Sequence, residues 1–191
     1  MEGNNKASDA LRSIFDTFGK SDTITLSRSD LRGLAHKPDL AQFLMATIVW
    51  GYTRGMRGNN VKNLVVGFEA LTQLLSEART KPVTEWNTHY KEVKLIKGIG
   101  LSTYTKFLNF LDVPVHGHAA LILDRRIIQV ANKDNFQELA SLELNNSNAV
   151  LRYTSYLERM HCVANNLEVC AEAIEFFLFE FGLNLKPPSN S

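Results

Sequence analysis

The amino-acid sequence predicts an all-α protein, and three observations carry that prediction. Apolar residues recur at helical spacing in segments that are separated by Gly, Pro or Asn. Almost nothing alternates with the period of two that half-buried strands show. A Gly-x-Gly turn, Gly98 to Gly100, joins two of the helical segments. A length of 191 residues suits one domain, or two small lobes that share an interface.

The predicted elements of the N-terminal half follow from apolar spacing and from residues that begin or end helices. In order they are a helix over 7–18, a polar loop with a short extended piece over 20–28, a short helix from Ser29 or Asp30 to Gly33, a helix from Pro38 to Gly51, and a long helix from Asn59 or Asn60 to Arg79. The helix that ends at Gly51 is apolar on most sides, so we expect it to be central.

The C-terminal half adds two predicted helices, over 147–166 and 168–182, and a tail over 186–191 that we expect to be disordered. Four phenylalanines of the last helix are expected in the core, namely Phe176, Phe177, Phe179 and Phe181.

Composition excludes several classes of protein. Apolar residues make up 45% and charged residues 21%, as in ordinary globular proteins, and the net charge of +1 does not identify a polyanion-binding protein. The two cysteines, Cys162 and Cys170, form no CxxC motif and no disulfide framework, and we expect them to be core or inert. The start of the chain lacks a signal peptide, and no apolar run is long enough to span a membrane. A reduced, cytoplasmic, monomeric protein without a membrane segment is the simplest expectation.

The Gly-x-Gly turn is the centre of a helix–turn–helix segment over about 84–111. Glycines let the backbone turn tightly and approach a partner closely. The turn then opens a helix whose first N–H groups have no intrahelical partner, so a phosphate can bind there. On spacing alone, a corner that uses glycine only for steric reasons is an equal alternative.

A single carboxylate stands out in the segment 121–131, where Asp124 separates an apolar run from a helix that carries Arg125 and Arg126. Asp124 can cap that helix, and it can also take part in chemistry; the two roles are compatible. We expect Arg125 and Arg126 either to contact a DNA strand or to pair with the acidic helix over 172–180.

These two motifs together resemble the helix-hairpin-helix glycosylases known as the HhH-GPD superfamily. The run Lys-Gly-Ile-Gly-Leu-Ser-Thr-Tyr-Thr-Lys, residues 97–106, is similar to their hairpin, and Ile-Leu-Asp-Arg-Arg-Ile, residues 122–127, is similar to the segment with their catalytic aspartate. A weaker likeness over 40–190, including residues 49–60, is to bacterial proteins with an 8-oxoguanine DNA glycosylase-like fold. The resemblance implies a helical DNA-glycosylase fold of two closely packed lobes.

The resemblance also implies roles at the reacting centre. Asp124 is expected to stabilise the positive charge that develops on the sugar. Bifunctional relatives carry a lysine nucleophile where this chain has Ser102, so lyase activity is in doubt. Lys106 lies one helical turn further on the same face, where it is a reserve nucleophile, a transition-state contact or a solvated surface lysine.

Contacts with DNA are predicted for the turn and its neighbours, which are Lys97, Gly98, Ile99, Gly100, Leu101, Ser102, Arg125 and Arg126. A flipped base needs aromatic and polar groups, and the candidates are Trp50, Tyr52, Arg54, Arg57, His116 and His118. Trp50 is equally compatible with a place in the core, because it lies at the end of an apolar helix. His116 and His118 have no visible third ligand, so we predict no zinc site.

The sequence therefore predicts a DNA glycosylase that acts on double-stranded DNA. No cofactor is required, although the resemblance allows Na⁺ or K⁺ at the hairpin. The base is either an oxidised purine or a modified cytosine, such as a glucosylated hydroxymethylcytosine of phage DNA. Two alternatives remain open, namely a helix-hairpin-helix protein that binds DNA without cleaving it and a helical protein–protein adaptor.

Overall fold

The computed structural model describes residues 2–20, 23–52, 59–133 and 135–185, and within these ranges the all-α prediction is confirmed. The helices are α1 Glu2–Phe18, α2 Arg28–Ala35, α3 Ala41–Gly51, α4 Asn60–Thr80, α5 Trp86–Leu95, α6 Leu101–Phe110, α7 Arg125–Ala131, α8 Gln137–Ala140, α9 Tyr153–Asn166 and α10 Ala171–Phe181. The strands are β1 Gly19–Lys20, β2 Thr23–Ile24, β3 Pro114–Val115 and β4 His118–Ala119. The predicted disordered tail, 186–191, lies outside the described residues.

Helix α3 is the central helix of the N-terminal half, as predicted. It packs against α1, α2 and α6, and almost all of its residues from Ala41 to Ile48 are buried. The ring of Phe43 meets Phe107 of α6 edge to face, with 6.0 Å between the ring centroids. This packing fixes the end of α3, at Gly51, relative to the N-terminal turn of α6.

Several helix starts differ from the predicted ones. Helix α1 begins at Glu2 rather than at 7, α9 at Tyr153 rather than at 147, and α10 at Ala171 rather than at 168. Helix α2 is capped by Ser27 rather than by Ser29 or Asp30, because Ser27 and Asp30 form a reciprocal capping box. Helix α3 begins at Ala41 rather than at Pro38, and the Asp39 carboxylate accepts the Ala41 N–H at 2.9 Å.

A short hairpin, β3–β4, was not predicted. Its turn residues His116 and Gly117 both have positive φ, +50° and +82°, which matches the tight turn of a two-residue hairpin. Val83, which precedes α5, pairs with this hairpin through its backbone. Its N–H donates to the Pro114 carbonyl oxygen at 2.9 Å, and its carbonyl oxygen accepts the His116 N–H at 2.8 Å. Strands of two residues are too short to show an alternation of apolar and polar residues in the sequence.

Helix α10 turns three of its four phenylalanines away from the core, so the prediction is wrong for Phe176, Phe177 and Phe181, whereas Phe179 is partly buried and packs against the core. Its buried residues are Ala171, Glu175 and Leu178, which face α7 and α9, whereas Phe176, Phe177 and Phe181 are about half exposed. Four phenylalanines in six residues cannot all lie on one face of a helix, and here the inner face is the other one. The cysteines Cys162 and Cys170 are also exposed rather than in the core.

No helix in the described ranges is both long enough and apolar enough to cross a membrane.

Candidate active site at the glycine turn

The two glycines of the predicted turn have different structural roles. Gly98 has φ of +93°, and a Cβ atom there would lie 3.0 Å from the Asn60 carbonyl oxygen, at the first turn of α4. Only glycine satisfies both the backbone angle and this close approach. Gly100 has an extended backbone and precedes α6, and a Cβ atom there would meet nothing within 4 Å. Gly98 therefore docks the turn on α4, whereas Gly100 faces open space.

The first turn of α6 is available to an anion. Its N-cap residue, Gly100, supplies no side chain, and no side chain in the described part of the chain caps the helix. Ile99 is buried and anchors the turn, while Lys97 is exposed beside it. The partial positive charge of the unpaired N–H groups then combines with the lysine charge, which suits a phosphate.

The different surroundings of Gly98 and Gly100 predict different effects for their alanine variants. Gly98→Ala should lower the free energy of unfolding by about 1–3 kcal/mol, because alanine is strained at this φ. Gly100→Ala should cost at most about 1 kcal/mol of stability, because alanine is a poorer N-cap than glycine. It should weaken binding to duplex DNA irrespective of sequence, because the new methyl group occupies the place of the ligand. Thermal melts and DNA titrations would measure both effects.

Gly33→Ala is the matched control, since a Cβ atom at Gly33 would also meet nothing within 4 Å, but this glycine lies on α2. If Gly100→Ala binds DNA with wild-type affinity, the turn does not bind DNA and uses glycine only to connect two helices.

Lys106 reaches back to the same turn. Its Nζ donates a hydrogen bond to the Ser102 Oγ at 3.1 Å, as the spacing of four residues on a helix allows. Gly51, at the end of α3, lies against the lysine side chain, and a Cβ there would be 3.7 Å from Nζ. Burial lowers the pKa of Lys106, and the positive charge of Arg28 acts in the same direction, while Asp124 and Glu175 oppose the shift. Lys106 is therefore a half-buried amine held between Ser102 and Gly51, not a solvated surface lysine.

Asp124 is the N-cap of α7, as predicted. Its Oδ1 accepts the Ile127 N–H at 3.0 Å, and its backbone is extended. The side chain is partly exposed, so one face remains accessible to a ligand. The segment that leads to Asp124 is bound by Thr105 of α6, the helix that carries Lys106, and the negative charge of Asp124 favours the ammonium form of Lys106. Among the described residues, no ion pair joins the two side chains.

The chain leading to Asp124 is held by side chains rather than by secondary structure. Residues 120–123 are buried and lie outside any helix or strand. Two α6 side chains bind them: the Thr105 hydroxyl accepts the Leu123 N–H at 3.2 Å, and the Asn109 amide donates to the Ala120 carbonyl at 2.9 Å.

Two tyrosines of α9 complete this support. The Tyr153 hydroxyl donates to the Leu121 carbonyl at 2.8 Å, and the Tyr156 hydroxyl donates to the Ile122 carbonyl at 3.0 Å. Burial raises the pKa of both hydroxyls, so they remain donors at any working pH. Sequence reasoning missed these supports, although the spacing of Thr105 and Asn109 on one face of α6 is a usable signal.

Trp50 and Tyr52 lie at the end of α3, beside the site. Trp50 is half-buried, meets Phe110 edge to face at 5.5 Å and has the Arg28 guanidinium 5.9 Å from its ring centroid. The Tyr52 hydroxyl shares a hydrogen bond of 2.7 Å with the Thr103 hydroxyl, in the first turn of α6. Tyr52 is thus adjacent to the first turn of α6, whereas Trp50 packs on Phe110 at the other end of the same helix. Arg54 and Arg57 lie outside the described residues.

The remaining candidates are more dispersed. Arg125 is exposed, whereas Arg126 donates to the Glu180 carbonyl at 3.0 Å and lies over the Phe179 ring, so it binds α10. His116 Nδ1 lies 3.3 Å from the Thr84 carbonyl. His118 stacks on His161 of α9, with 5.0 Å between the ring centroids.

The surroundings of His116 and His118 bear on their predicted roles. Burial lowers the pKa of His118, and the neighbouring His161 adds to this effect. Among the described residues, the contacts of His116 and His118 are with groups other than Asp124 and Lys106. Within the same ranges, no group of three or more His, Cys, Asp or Glu side chains is arranged to hold a metal ion. Direct contact of these histidines with a base stays a prediction.

These observations describe a helical protein with a glycine turn before α6, a half-buried lysine on α6 and an aspartate that caps α7. The family model described as "Putative 8-oxoguanine DNA glycosylase OGG-like protein" matches residues 3–179. The match covers most of the chain, so the protein belongs to this OGG-like family. Comparisons with curated proteins and with solved structures give no match.

Proposed function

We propose that the protein is a DNA glycosylase that flips a damaged or modified base out of double-stranded DNA and hydrolyses its glycosidic bond. The observation that carries the proposal is the glycine turn with the uncapped first turn of α6, from which the half-buried Lys106 projects towards Ser102. The same helix binds the segment that leads to Asp124, through the Thr105 hydroxyl. Membership of the OGG-like family supports the same reaction class. The product is an abasic site and a free base.

Asp124 is the proposed catalytic carboxylate. Departure of the base leaves positive charge on the sugar, and a fixed carboxylate beside the anomeric carbon stabilises it. The hydrogen bond to the Ile127 N–H occupies Oδ1 and leaves Oδ2 for the sugar or for the attacking water. The side-chain supports of residues 120–123 fix the approach of this carboxylate.

The turn is proposed to bind a phosphate of the damaged strand in the manner of the HhH-GPD superfamily, through the N–H groups from Gly98 to Ser102. The carbonyl oxygens of Lys97, Gly98 and Ile99 accept no backbone hydrogen bond within the described part of the chain, so the turn fits a monovalent cation as well. These oxygens would hold Na⁺ or K⁺, which would add positive charge next to the phosphate. Arg125 is the further strand contact that we propose, because it is exposed at the start of α7.

The flipped base is proposed to lie against Trp50 and Tyr52, with Arg54, Arg57, His116 and His118 as further candidates for its polar edge. Trp50 offers an aromatic face at the end of α3, and Tyr52 is tied to the first turn of α6. Stacking on aromatic side chains is the common way to hold a base outside the duplex. Two substrate classes fit this proposal, an oxidised purine and a modified cytosine of phage DNA, with roles in repair and in phage defence respectively.

The enzyme is proposed to be monofunctional. Ser102 stands where bifunctional relatives have lysine, and a hydroxyl cannot form an imine with the opened sugar. We expect the protein to work as a monomer in the cytoplasm, where bacterial relatives would meet cellular or phage DNA.

The test is mass spectrometry of free bases released from duplexes that contain 8-oxoguanine and from DNA that contains glucosylated hydroxymethylcytosine. We expect one of these bases to be released, with strand breaks that appear only after alkali. DNA binding without release of any base would support the non-catalytic alternative. We do not favour that alternative, because DNA binding alone gives no reason to half-bury the Lys106 amine and lower its pKa.

A further inference from the structure

Helix α10 buries a carboxylate and exposes aromatic rings. The Glu175 side chain is fully buried, whereas its neighbours Phe176 and Phe177 are each 45% exposed. Burying an ionised carboxylate costs free energy, and burying a phenylalanine gains it. A helix selected for stability alone would present the opposite face. Local rules of this kind are broken mainly at functional sites, so the burial of Glu175 calls for a functional reason.

The partner of Glu175 is Arg28, at the start of α2. The guanidinium grips both carboxylate oxygens, with N–O distances of 3.1 and 3.2 Å, and reaches Glu172 at 3.3 Å. It also lies over two aromatic rings, 5.9 Å from the Trp50 centroid and 5.2 Å from that of Phe176. A buried ion pair is weak evidence for stability, since its desolvation cost is similar to its attraction.

The pair reaches the candidate active site through Trp50. Trp50 precedes Gly51, and Gly51 lies against the Lys106 side chain. The charges that act on Lys106 come from Asp124 at the start of α7, Glu175 on α10 and Arg28 on α2, and its own helix supplies the Ser102 hydroxyl. Arg28 and Glu175 are therefore linked to Lys106 through Trp50 and Gly51 at the end of α3, and their charges act on it.

We propose that Arg28 and Glu175 are positioning residues, whose buried salt bridge fixes Trp50 and the end of α3 behind Lys106 and balances the charge that Lys106 meets there. Arg28 alone would disfavour the ammonium form of Lys106, and Glu175 alone would favour it. Held together they largely cancel, so that burial and Asp124 govern Lys106. This inference rests on the proposed function for its catalytic consequence.

The first experiment replaces both charges with apolar groups. Replacing a buried ion pair with apolar residues of similar size is often neutral for stability, so Arg28→Met/Glu175→Leu should keep its melting temperature and its affinity for DNA. Single-turnover base release should fall about tenfold or more, because small displacements of catalytic groups cost up to ~10²-fold in rate. A double variant that folds and releases base at the wild-type rate would overturn the proposal.

The second experiment does not need activity or the double variant. Glu175→Gln keeps the shape of the side chain and removes the charge that opposes Arg28. The groups around Glu175 are Arg28, Glu172, Asp124, Lys106 and the two buried tyrosines Tyr153 and Tyr156. In this variant no Glu175 charge offsets the positive charge of Arg28, so the Lys106 ammonium group should lose its proton at a lower pH than in wild type. NMR titration of ¹³C-methylated lysines measures this, with Lys106→Arg used to assign the resonance.

The control is Arg32→Met, which removes an ion pair between α2 and α10 that does not involve Glu175, namely Arg32 with Glu172 at 2.7 Å. It should leave the Lys106 titration unchanged. The same Lys106 titration in Glu175→Gln as in wild type would refute the charge balance. If the wild-type protein releases no base from any DNA, the proposed function fails, and this titration still decides the inference.

Discussion

Asp124→Asn should abolish most base release, with a loss in single-turnover rate on the order of 10²-fold or more, the typical effect of deleting one strong electrostatic contact to the transition state. The variant should fold and bind DNA normally. Asparagine caps helices about as well as aspartate, so the acceptor for the Ile127 N–H is retained and only the charge is lost. The measurement is quantified free base in single-turnover reactions, together with melting temperature and DNA affinity.

Asp112→Asn is the matched control for this prediction. Asp112 is exposed after α6 and pairs with Arg32 at 2.7 Å, and its φ of +52° is one that asparagine also tolerates. It should release base at the wild-type rate. Unchanged base release in Asp124→Asn would remove Asp124 from the mechanism and leave it as a helix cap.

The parts of the site that are close together in the sequence were predictable. Gly98, Ser102 and Lys106 lie within one turn and the start of one helix, and the i, i+4 rule predicts the contact of 3.1 Å between Lys106 and Ser102. The capping geometry of Asp124 follows from the same kind of local rule, because a carboxylate before a helix finds the free N–H groups of its first turn.

The parts that depend on the meeting of distant helices were not predictable. Nothing in the spacing of Arg28 and Glu175 shows that α2 and α10 meet, and the hydrophobicity of the phenylalanines indicated the wrong inner face for α10. The supports of residues 120–123 come from α6 and α9, and each is a single side chain whose partner is a backbone group far along the chain. The sequence shows that Thr105 and Asn109 share a face of α6, but not which backbone group each of them binds.

Borohydride treatment of a reaction mixture should trap no covalent adduct between wild-type protein and DNA, and the role of Lys106 should instead appear in the pH dependence of base release. We expect Lys106→Gln to lose on the order of 10²-fold in rate, the lower end of what positioned acid–base groups contribute. As an ammonium contact to the departing base or a phosphate, Lys106 is active in its protonated form. Its pKa is lowered by burial, so the rate should fall as pH rises through a range below 10.5, the ordinary value for lysine.

A rate of base release that rises with pH would instead indicate attack by the neutral amine of Lys106. If the neutral amine of Lys106 attacked the sugar, the rate would rise as pH rises through the same lowered pKa, and borohydride would trap an adduct that is lost in Lys106→Gln. Lys62→Gln is the control, since Lys62 is an exposed lysine of α4 and should leave the pH profile unchanged. A trapped adduct together with a rising profile would therefore replace the monofunctional mechanism with a lyase that uses Lys106 from one helical turn beyond Ser102, because both readouts report the same unprotonated amine.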